Sequence, residues 1–560
     1  MNSKSSEVSM PVLPWYHKTT IYQIYPRSFY DSNEDGIGDI QGITQKLDYI
    51  KGLGFESIWC SPFFDSPQAD FGYDISNYTD IAPEYGTMSD ASQLIEETHR
   101  RGMKIIFDMV MNHTSSEHPW FKESRSSQDN PKADWYLWRP PSGSSPIIKE
   151  NRGRRWGVPN NWQSMTGGSG WHYVEERKQY YWASFLPFQP DLNYRNPEVK
   201  KTMLEIVRFW LSKGVDGFRL DIFNVIYKDA EFRNNPFTFE LIPTETNPSG
   251  FFQKAKYTLN QPESFEFAKE LRCVGEEFGE KLLLGEISGR RDLLRKFMGD
   301  DKNDGLTLVF DFGMMDFKFN ARYFHDLIED IEKHFPDPFM PVYVFSNHDR
   351  ARSISRLEND IRKAKLLHLL QLTVRGVPCI YYGEEIGMTN AKIPFSQALD
   401  PIPHKFQSFP RFIFDMLGMT LNRDEVRTPM QWKESKNGSF SSAEKTWLPV
   451  HPNYDAVNVE EESQDENSLL NTIRAILKIR NEHEALQQGS LELIAGLPVN
   501  VLGYRRKSDV EEVIVLLNFS ESEKQFPLKA GNCIFKLSQQ DELKSAEINL
   551  SGYGGMILKS

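Results

Sequence analysis

Short apolar runs recur along much of the chain, separated by longer stretches whose apolar positions repeat with helical spacing. The runs TIYQIYP (about 19–26), ESIWC, KIIFDMV, DGFRLD, KLLLGE, TLVFDF, VYVFS and VPCIYYGEE are rich in β-branched and aromatic residues and too short for helices. Amphipathic segments stand between them: DASQLIEETHRRG leads into KIIFDMV, and PEVKKTMLEIVRFWLSKG leads into VDGFRLD. Eight strands alternating with helices predict an α/β chain closed into a parallel (β/α)₈ barrel of the TIM type. The competing architecture, an open doubly wound sheet, usually carries a Gly-rich phosphate loop after its first strand, and this sequence has none there.

Two stretches interrupt the alternation. From 112 to 186 the chain is rich in Trp, Pro, Gly and Asn, too long for a plain strand-to-helix loop, and reads as a small domain inserted after strand three. A second irregular stretch covers 386–460. Past the helix-like NSLLNTIRAILKIRNEHEAL the pattern changes to VLGYRRK, EEVIVLLNFS and NCIFKL, short strands between turns. The expected organisation is therefore a barrel over 1–111 and 187–485, the insertion over 112–186, and a C-terminal β-sandwich over 486–560.

The formal net charge of −13 argues against a nucleic-acid partner, which would require a basic face. No stretch approaches the roughly 20 apolar residues of a membrane helix, and the first residues lack a signal-peptide core. Cys60 and Cys379 lie within strand-like runs, so the four cysteines read as thiols and not as a disulfide frame, which points to a reducing, cytoplasmic setting. Oligomeric state has no signature.

In a barrel of this type chemistry collects at the C-terminal strand ends. Those ends carry Asp108 and His113 after strand three, Asp221 at strand four, Glu286 at strand five, and His348 with Asp349 after strand seven. A single Asp at a strand end is commonly a helix cap or turn former. Four carboxylates and two histidines at one end of one barrel are harder to explain as caps. Arg219 and Asp221 are two apart in a strand and so share a face, where the guanidinium favours an ionised carboxylate. Glu286 needs the opposite state, and a neighbouring carboxylate raises its pKa. Together they are the two-carboxylate machinery of glycoside hydrolysis; retention would require them about 5–5.5 Å apart.

The segments FDMVMNH, GFRLDIFNV, LLLGE and VFSNHD resemble, in order and spacing, the four core motifs of the α-amylase family of glycoside hydrolases, and QPDLN (189–193) resembles its fifth. That resemblance implies Asp221 as nucleophile, Glu286 as acid/base, Asp349 as a third carboxylate gripping sugar hydroxyls, His113, Arg219 and His348 around the bound sugar, and Asp108 in support. DFGYDISNY (70–78) and RDEVRTPMQW (423–432) are similar to the oligo-1,6-glucosidase and α-glucosidase branch. There the matches to Asp70 and Arg427 close the far end of the sugar pocket and the match to Tyr73 stacks on the ring, which limits the enzyme to terminal glucose of short oligosaccharides. The residue after the nucleophile tends to be Val in α-1,6-acting members and Ala in α-1,4-acting ones. Here it is Ile222, β-branched like Val, which leans toward α-1,6 or mixed action. No RLDRD segment of the sucrose-isomerase kind occurs, and no basic clamp for a phosphorylated sugar is identifiable. A transglucosylase or sucrose-acting enzyme remains the near alternative; the distant one is a non-catalytic, membrane-anchored transporter subunit, which need not keep the carboxylate pair and would need a transmembrane segment.

Asp31, Asn33, Asp35 and Asp39, with the Ile37 carbonyl and Gly36 at the turn, reproduce calcium-loop positions 1, 3, 5, 7 and 9. The Glu expected at position 12 is replaced by Gly42, and the loop follows a strand, so an ordinary calcium hand is not expected. Oxygen ligands at this spacing still favour a structural Ca²⁺, as the resemblance also implies; the alternative is a polar turn without metal. No organic cofactor is expected.

Overall fold

The computed structural model describes residues 13–142, 157–405, 421–544 and 546–560, so parts of the insertion and of the irregular 386–460 stretch lie outside it. Eight strands line up in order: β1 (Ile21–Ile24), β2 (Ser57–Cys60), β3 (Lys104–Met109), β4 (Gly217–Leu220), β5 (Leu282–Gly285), β6 (Leu308–Val309), β7 (Val342–Val344) and β8 (Val377–Tyr381). They form one parallel sheet in the order β6-β5-β4-β3-β2-β1-β8-β7. A parallel bridge between Phe310, just past β6, and Val342 at the start of β7 brings the two edges together. The (β/α)₈ barrel expected from the alternation is therefore the observed fold.

Burial explains why these strands read as unbroken apolar runs. Alternate side chains face opposite sides of a strand, and both sides are covered here. Ile21, Ile106, Leu282, Leu284, Val342, Val344 and Cys379 form a cluster inside the barrel. Tyr22, Ile105, Phe107, Leu283, Tyr343 and Ile380 belong to the larger core between strands and helices. The main helices are α1 (Leu47–Leu53), α2 (Met88–Arg100), α3 (Pro197–Ser212), α4 (Pro262–Glu276), α5 (Arg291–Phe297), α6 (Ala321–His334), α7 (Ile361–Thr373) and α8 (Leu469–Glu482). Local chemistry starts them: Thr87 and Asp90 make a reciprocal capping box on α2, and Asn196 caps α3 ahead of Pro197 at its first position.

Within the 112–186 stretch, Trp138–Arg139, Trp171–Val174 and Gln179–Trp182 form a three-stranded antiparallel sheet around a tryptophan-rich core. Past α8 lie a five-stranded and a three-stranded antiparallel sheet, with a core of Ile514, Leu516, Phe526, Ile548 and Leu558. Buried arginines anchor this region and α8 to the barrel. Arg506 donates to the carbonyls of Thr373 (2.6 Å), Leu486 (3.0 Å) and Gly489 (2.9 Å), and Arg480 on α8 donates to those of Leu372 and Gly376, both at 2.9 Å. Among the described residues, no helix is long and apolar enough to cross a membrane.

Replacing Arg506 by Ala strands three buried carbonyls. Each unsatisfied buried acceptor costs on the order of 1 kcal/mol or more, so Arg506→Ala is expected to lower stability by about 3 kcal/mol in denaturant titration, and an unchanged midpoint would contradict that role.

Candidate active site

The site is assembled around Arg219, a β4 side chain that is only 1% exposed. In the parallel register Arg219 lies opposite Asp108 of β3, so both point into the barrel mouth. The sequence suggests a guanidinium serving Asp221 alone; in the structure it is divided three ways. Its Nη1 donates to both Asp108 oxygens (2.9 and 3.0 Å) and to Asp221 Oδ1 (2.9 Å), while Nη2 donates to Glu286. The backbone fixes the other end of each acid. Asp221 N donates to Met109 O, Glu286 N to Leu220 O, and Phe223 N to Glu286 O, which extends the β3–β4–β5 pairing one step beyond the strands. Ile222 then takes a left-handed conformation (φ 36°), unusual for a β-branched residue, and its amide donates to Glu286 Oε2 at 3.2 Å.

One guanidinium cannot hold three buried carboxylates ionised. Burial, the largest cause in each case, raises the pKa of Asp108 to about 6 and raises those of Asp221 and Glu286, with mutual repulsion adding to the shift and the Arg219 charge opposing it. The cluster therefore retains a proton above the usual carboxylate range.

Asp349 is in the opposite state. Its side chain is 31% exposed and bonds to the neighbouring His348 (3.2 Å), to Arg427 (2.6 Å) and to Arg423 (3.3 Å). Against the opposing effect of burial, these partners hold its pKa well below the ordinary value. His348 is fully buried and its own pKa falls to about 4, chiefly by desolvation. At neutral pH it is therefore an uncharged ring, and the two arginines supply the charge that keeps Asp349 ionised. The ring hydrogen-bonds Gln23 (2.8 Å) and the Tyr73 hydroxyl (2.6 Å), and stacks on Tyr73 at 5.4 Å between centroids. Tyr73 in turn donates to Asp108 (3.3 Å), as does Trp59 (3.2 Å). His113 bonds the Tyr73 carbonyl at 3.0 Å.

Asp70 and Arg427 do not pair with each other. Asp70 accepts from Arg423 (2.7 Å) and Gln189 (2.9 Å), and Arg427, fully buried, binds Asp349 and the His348 carbonyl. Arg423 is the hub on this side, reaching Asp70, Asp349 and Asp400. It opens the segment RDEVRTPMQW, four residues before Arg427 on the short turn Arg423–Val426, yet sequence reasoning passes over it. The available signal is charge balance: three acids on separate segments require a cation. Lys228, seven residues past Asp221, is a second omission. Its buried ammonium pairs with Asp191 of QPDLN and donates to Asn112 (2.6 Å), whose amide contacts the His113 ring.

In the candidate cation loop, Asp31 accepts the amides of Asn33, Glu34 and Gly36 and the Ser441 hydroxyl. Asp39 accepts from Ser32 and caps the next helix at Gly42. Asn33 and Asp35 accept the amides of Asp35 and Ile37.

Acids sharing a buried guanidinium at the C-terminal mouth of a (β/α)₈ barrel suit the two-carboxylate chemistry of a glycoside hydrolase. Residues 23–489 match the α-amylase catalytic domain, and the chain belongs to the α-amylase family. It is 37% identical to a probable α-glucosidase of Rhizobium meliloti (strain 1021), over 100% of this chain and 99% of that protein. It is 36% identical to an oligo-1,6-glucosidase of Parageobacillus thermoglucosidasius, over 96% and 95%. The crystal structure of an α-glucosyl transfer enzyme superposes with a TM-score of 0.87 at 35% identity, covering 98% of this chain and 99% of that one.

The depressed His348 pKa has a consequence for stability. Free histidine titrates near 6.5; between that value and about 4 the unfolded state binds a proton that the folded state refuses. Stability contributed by this group is complete above pH 6.5 and is lost as pH falls toward 4, by about 3 kcal/mol in total. His348→Gln is expected to flatten the stability–pH curve over that window, and an identical slope in variant and wild type would contradict the assignment.

Proposed function

We propose that this enzyme is a retaining, exo-acting α-glucosidase that hydrolyses terminal α-1,6- and/or α-1,4-linked glucose from short oligosaccharides. The observation that carries the reading is the division of one buried guanidinium between Asp221 and Glu286, the two acids such a reaction requires. Asp221 attacks the anomeric carbon while Glu286 gives its proton to the departing glycosidic oxygen, leaving a glucosyl ester on Asp221. Glu286, now ionised, takes a proton from water, and the resulting attack on the anomeric carbon releases glucose and restores both acids. Arg219 and Asp108 hold the pair in place. Asp349, kept ionised by Arg423 and Arg427, accepts hydrogen bonds from glucose hydroxyls alongside His113 and His348. The Asp70–Arg423–Asp349–Arg427 network closes one side of the pocket, with Tyr73 as the ring platform, and supports action at chain ends over internal cleavage.

The same ester can be captured by a sugar hydroxyl in place of water. The likeness to an α-glucosyl transfer enzyme favours this second reading, transglucosylation, as a side activity. Four unpaired thiols support a cytoplasmic setting.

A structural Ca²⁺ at the 31–39 loop is also proposed, held by Asp31, Asn33, Asp35, Asp39 and the Ile37 carbonyl. An all-oxygen donor set suits a hard cation, and Asp31, Asn33 and Asp35 each accept a loop amide with one side-chain oxygen. The ion would brace the loop and take no part in the chemistry.

Asp221→Asn and Glu286→Gln are each expected to lower kcat on an aryl α-glucoside by about a thousandfold or more. Near-normal turnover in a folded Asp221→Asn protein would sink the mechanism. Exhaustive chelation is expected to lower the melting temperature, with recovery on adding Ca²⁺ and no recovery in Asp35→Ala; a melting temperature indifferent to both treatments would refute the cation.

A further inference from the structure

Between β4 and α4 the chain makes a long excursion, of which 236–254 crosses the barrel mouth as an irregular hairpin. Phe251 and Phe252 donate to the Leu241 and Glu240 carbonyls, both at 2.8 Å, and Thr238 donates back to Phe252 O. Its base is fastened to the insertion after β3. Asn161 and Asn235 exchange hydrogen bonds at 2.8 and 2.9 Å, and the Trp162 indole donates to Arg233 O at 2.8 Å. Its far end is fastened through Glu245, whose carbonyl accepts the Gly289 amide (2.8 Å) and whose carboxylate pairs with Arg350. Gly289 lies three residues past Glu286, and Arg350 directly follows Asp349. The hairpin thus spans from the insertion to the two loops that carry the acid and the third carboxylate.

Little apolar burial helps to hold it there. Between 236 and 254 only Ser249 and Gly250 are buried, and Phe237 and Phe239 are 67% and 89% exposed. A segment with so few buried contacts sits at the low end of local stability, so its position depends on the polar fastenings. Beneath it, a cavity of about 60 Å³ lies between Pro243 and Phe251 of the hairpin, Met165 and Trp182 of the insertion, and Val225 just past the nucleophile. That is room for about two waters.

We propose that the Glu245–Arg350 pair is a latch, that it fixes the 236–254 strap over the leaving-group side of the pocket, and that it thereby sets how large a leaving sugar or acceptor the enzyme takes. The proposal rests on the α-glucosidase reading. With Asp70, Arg423 and Arg427 closing the glucose side, the strap is, among the described residues, a wall left to discriminate, and its tip is tied to the loops bearing Glu286 and Asp349. Neither latch residue touches the reacting atoms; they are positioning residues.

The test uses full-length wild type, Glu245→Gln and, as a charge-reversed rescue, Glu245→Arg with Arg350→Glu. Two quantities are read: amide hydrogen exchange across 236–254, and the ratio of kcat/KM for a trisaccharide to that for the disaccharide of whichever α-linkage the wild type cleaves better. Glu245→Gln is expected to speed exchange in the strap about tenfold with barrel strands unchanged, and to raise the ratio about fivefold as the longer leaving group gains room. The double variant returns both toward wild type. Unchanged strap exchange in Glu245→Gln would overturn the latch, and faster exchange with a ratio within about twofold of wild type would overturn its role in specificity. A wild type that cleaves neither disaccharide would sink the glucosidase reading and the specificity role together, while exchange would still report on the latch itself.

Discussion

A guanidinium out of reach of water must be matched by acids, and the Arg219 charge sets the terms for everything around it. Removing such a cation from water costs several kcal/mol, recovered only through well-placed partners. Arg219 has three, Asp108, Asp221 and Glu286, on three adjacent strands. The parallel register sets Asp108 opposite Arg219, and the backbone bonds just past β4 and β5 bring Asp221 and Glu286 to the same point. The barrel is what allows this: strands buried on both faces leave no room for the cluster to relax or take up solvent. Three acids on one cation then hold a proton to higher pH than isolated carboxylates would, which is the direction a general acid needs.

The second electrostatic centre is closer to balance, with two cations for three acids. Arg423 and Arg427 face Asp70, Asp349 and Asp400, and the arginines keep Asp349 charged. Neutral His348 and Tyr73 lie between the centres, bonded to Asp349 on one side and Asp108 on the other. An ionised hydrogen-bond acceptor beside a protonated acid is an arrangement that can hold a sugar and cleave it. The Arg423 network closes one side of that pocket, and on the other lies a strap whose position depends on polar contacts more than on burial.

Much of this was legible in the sequence, for physical reasons that also mark where legibility stopped. The barrel strands stand out because burial on both faces demands continuous apolar runs, and the acids stand out because they terminate those runs. DGFRLD carries Arg219 and Asp221 on one face by strand periodicity alone. What spacing does not convey is how a guanidinium is shared: Arg219 looked like the partner of Asp221, and only the β3–β4 and β4–β5 registers reveal Asp108 and Glu286 as further claimants. The same limit hid Arg423 behind Arg427, since its partners Asp70, Asp349 and Asp400 come from three distant segments. Lys228 has no signature in the sequence because its partners, Asn112 and Asp191, belong to the loop after β3. The 236–254 strap has neither the period of a helix nor that of a strand, and its anchor through Glu245 is a long-range contact.

The most direct test of the central claim is to trap the glucosyl ester. Wild-type enzyme incubated with a slowly turning-over fluorinated α-glucosyl fluoride, then digested and read by mass spectrometry, should carry one sugar on the peptide containing Asp221, with labelling abolished in Asp221→Asn. A label on another residue would contradict the assignment of the nucleophile. No label, together with β-glucose as the first product by NMR, would contradict the covalent mechanism itself.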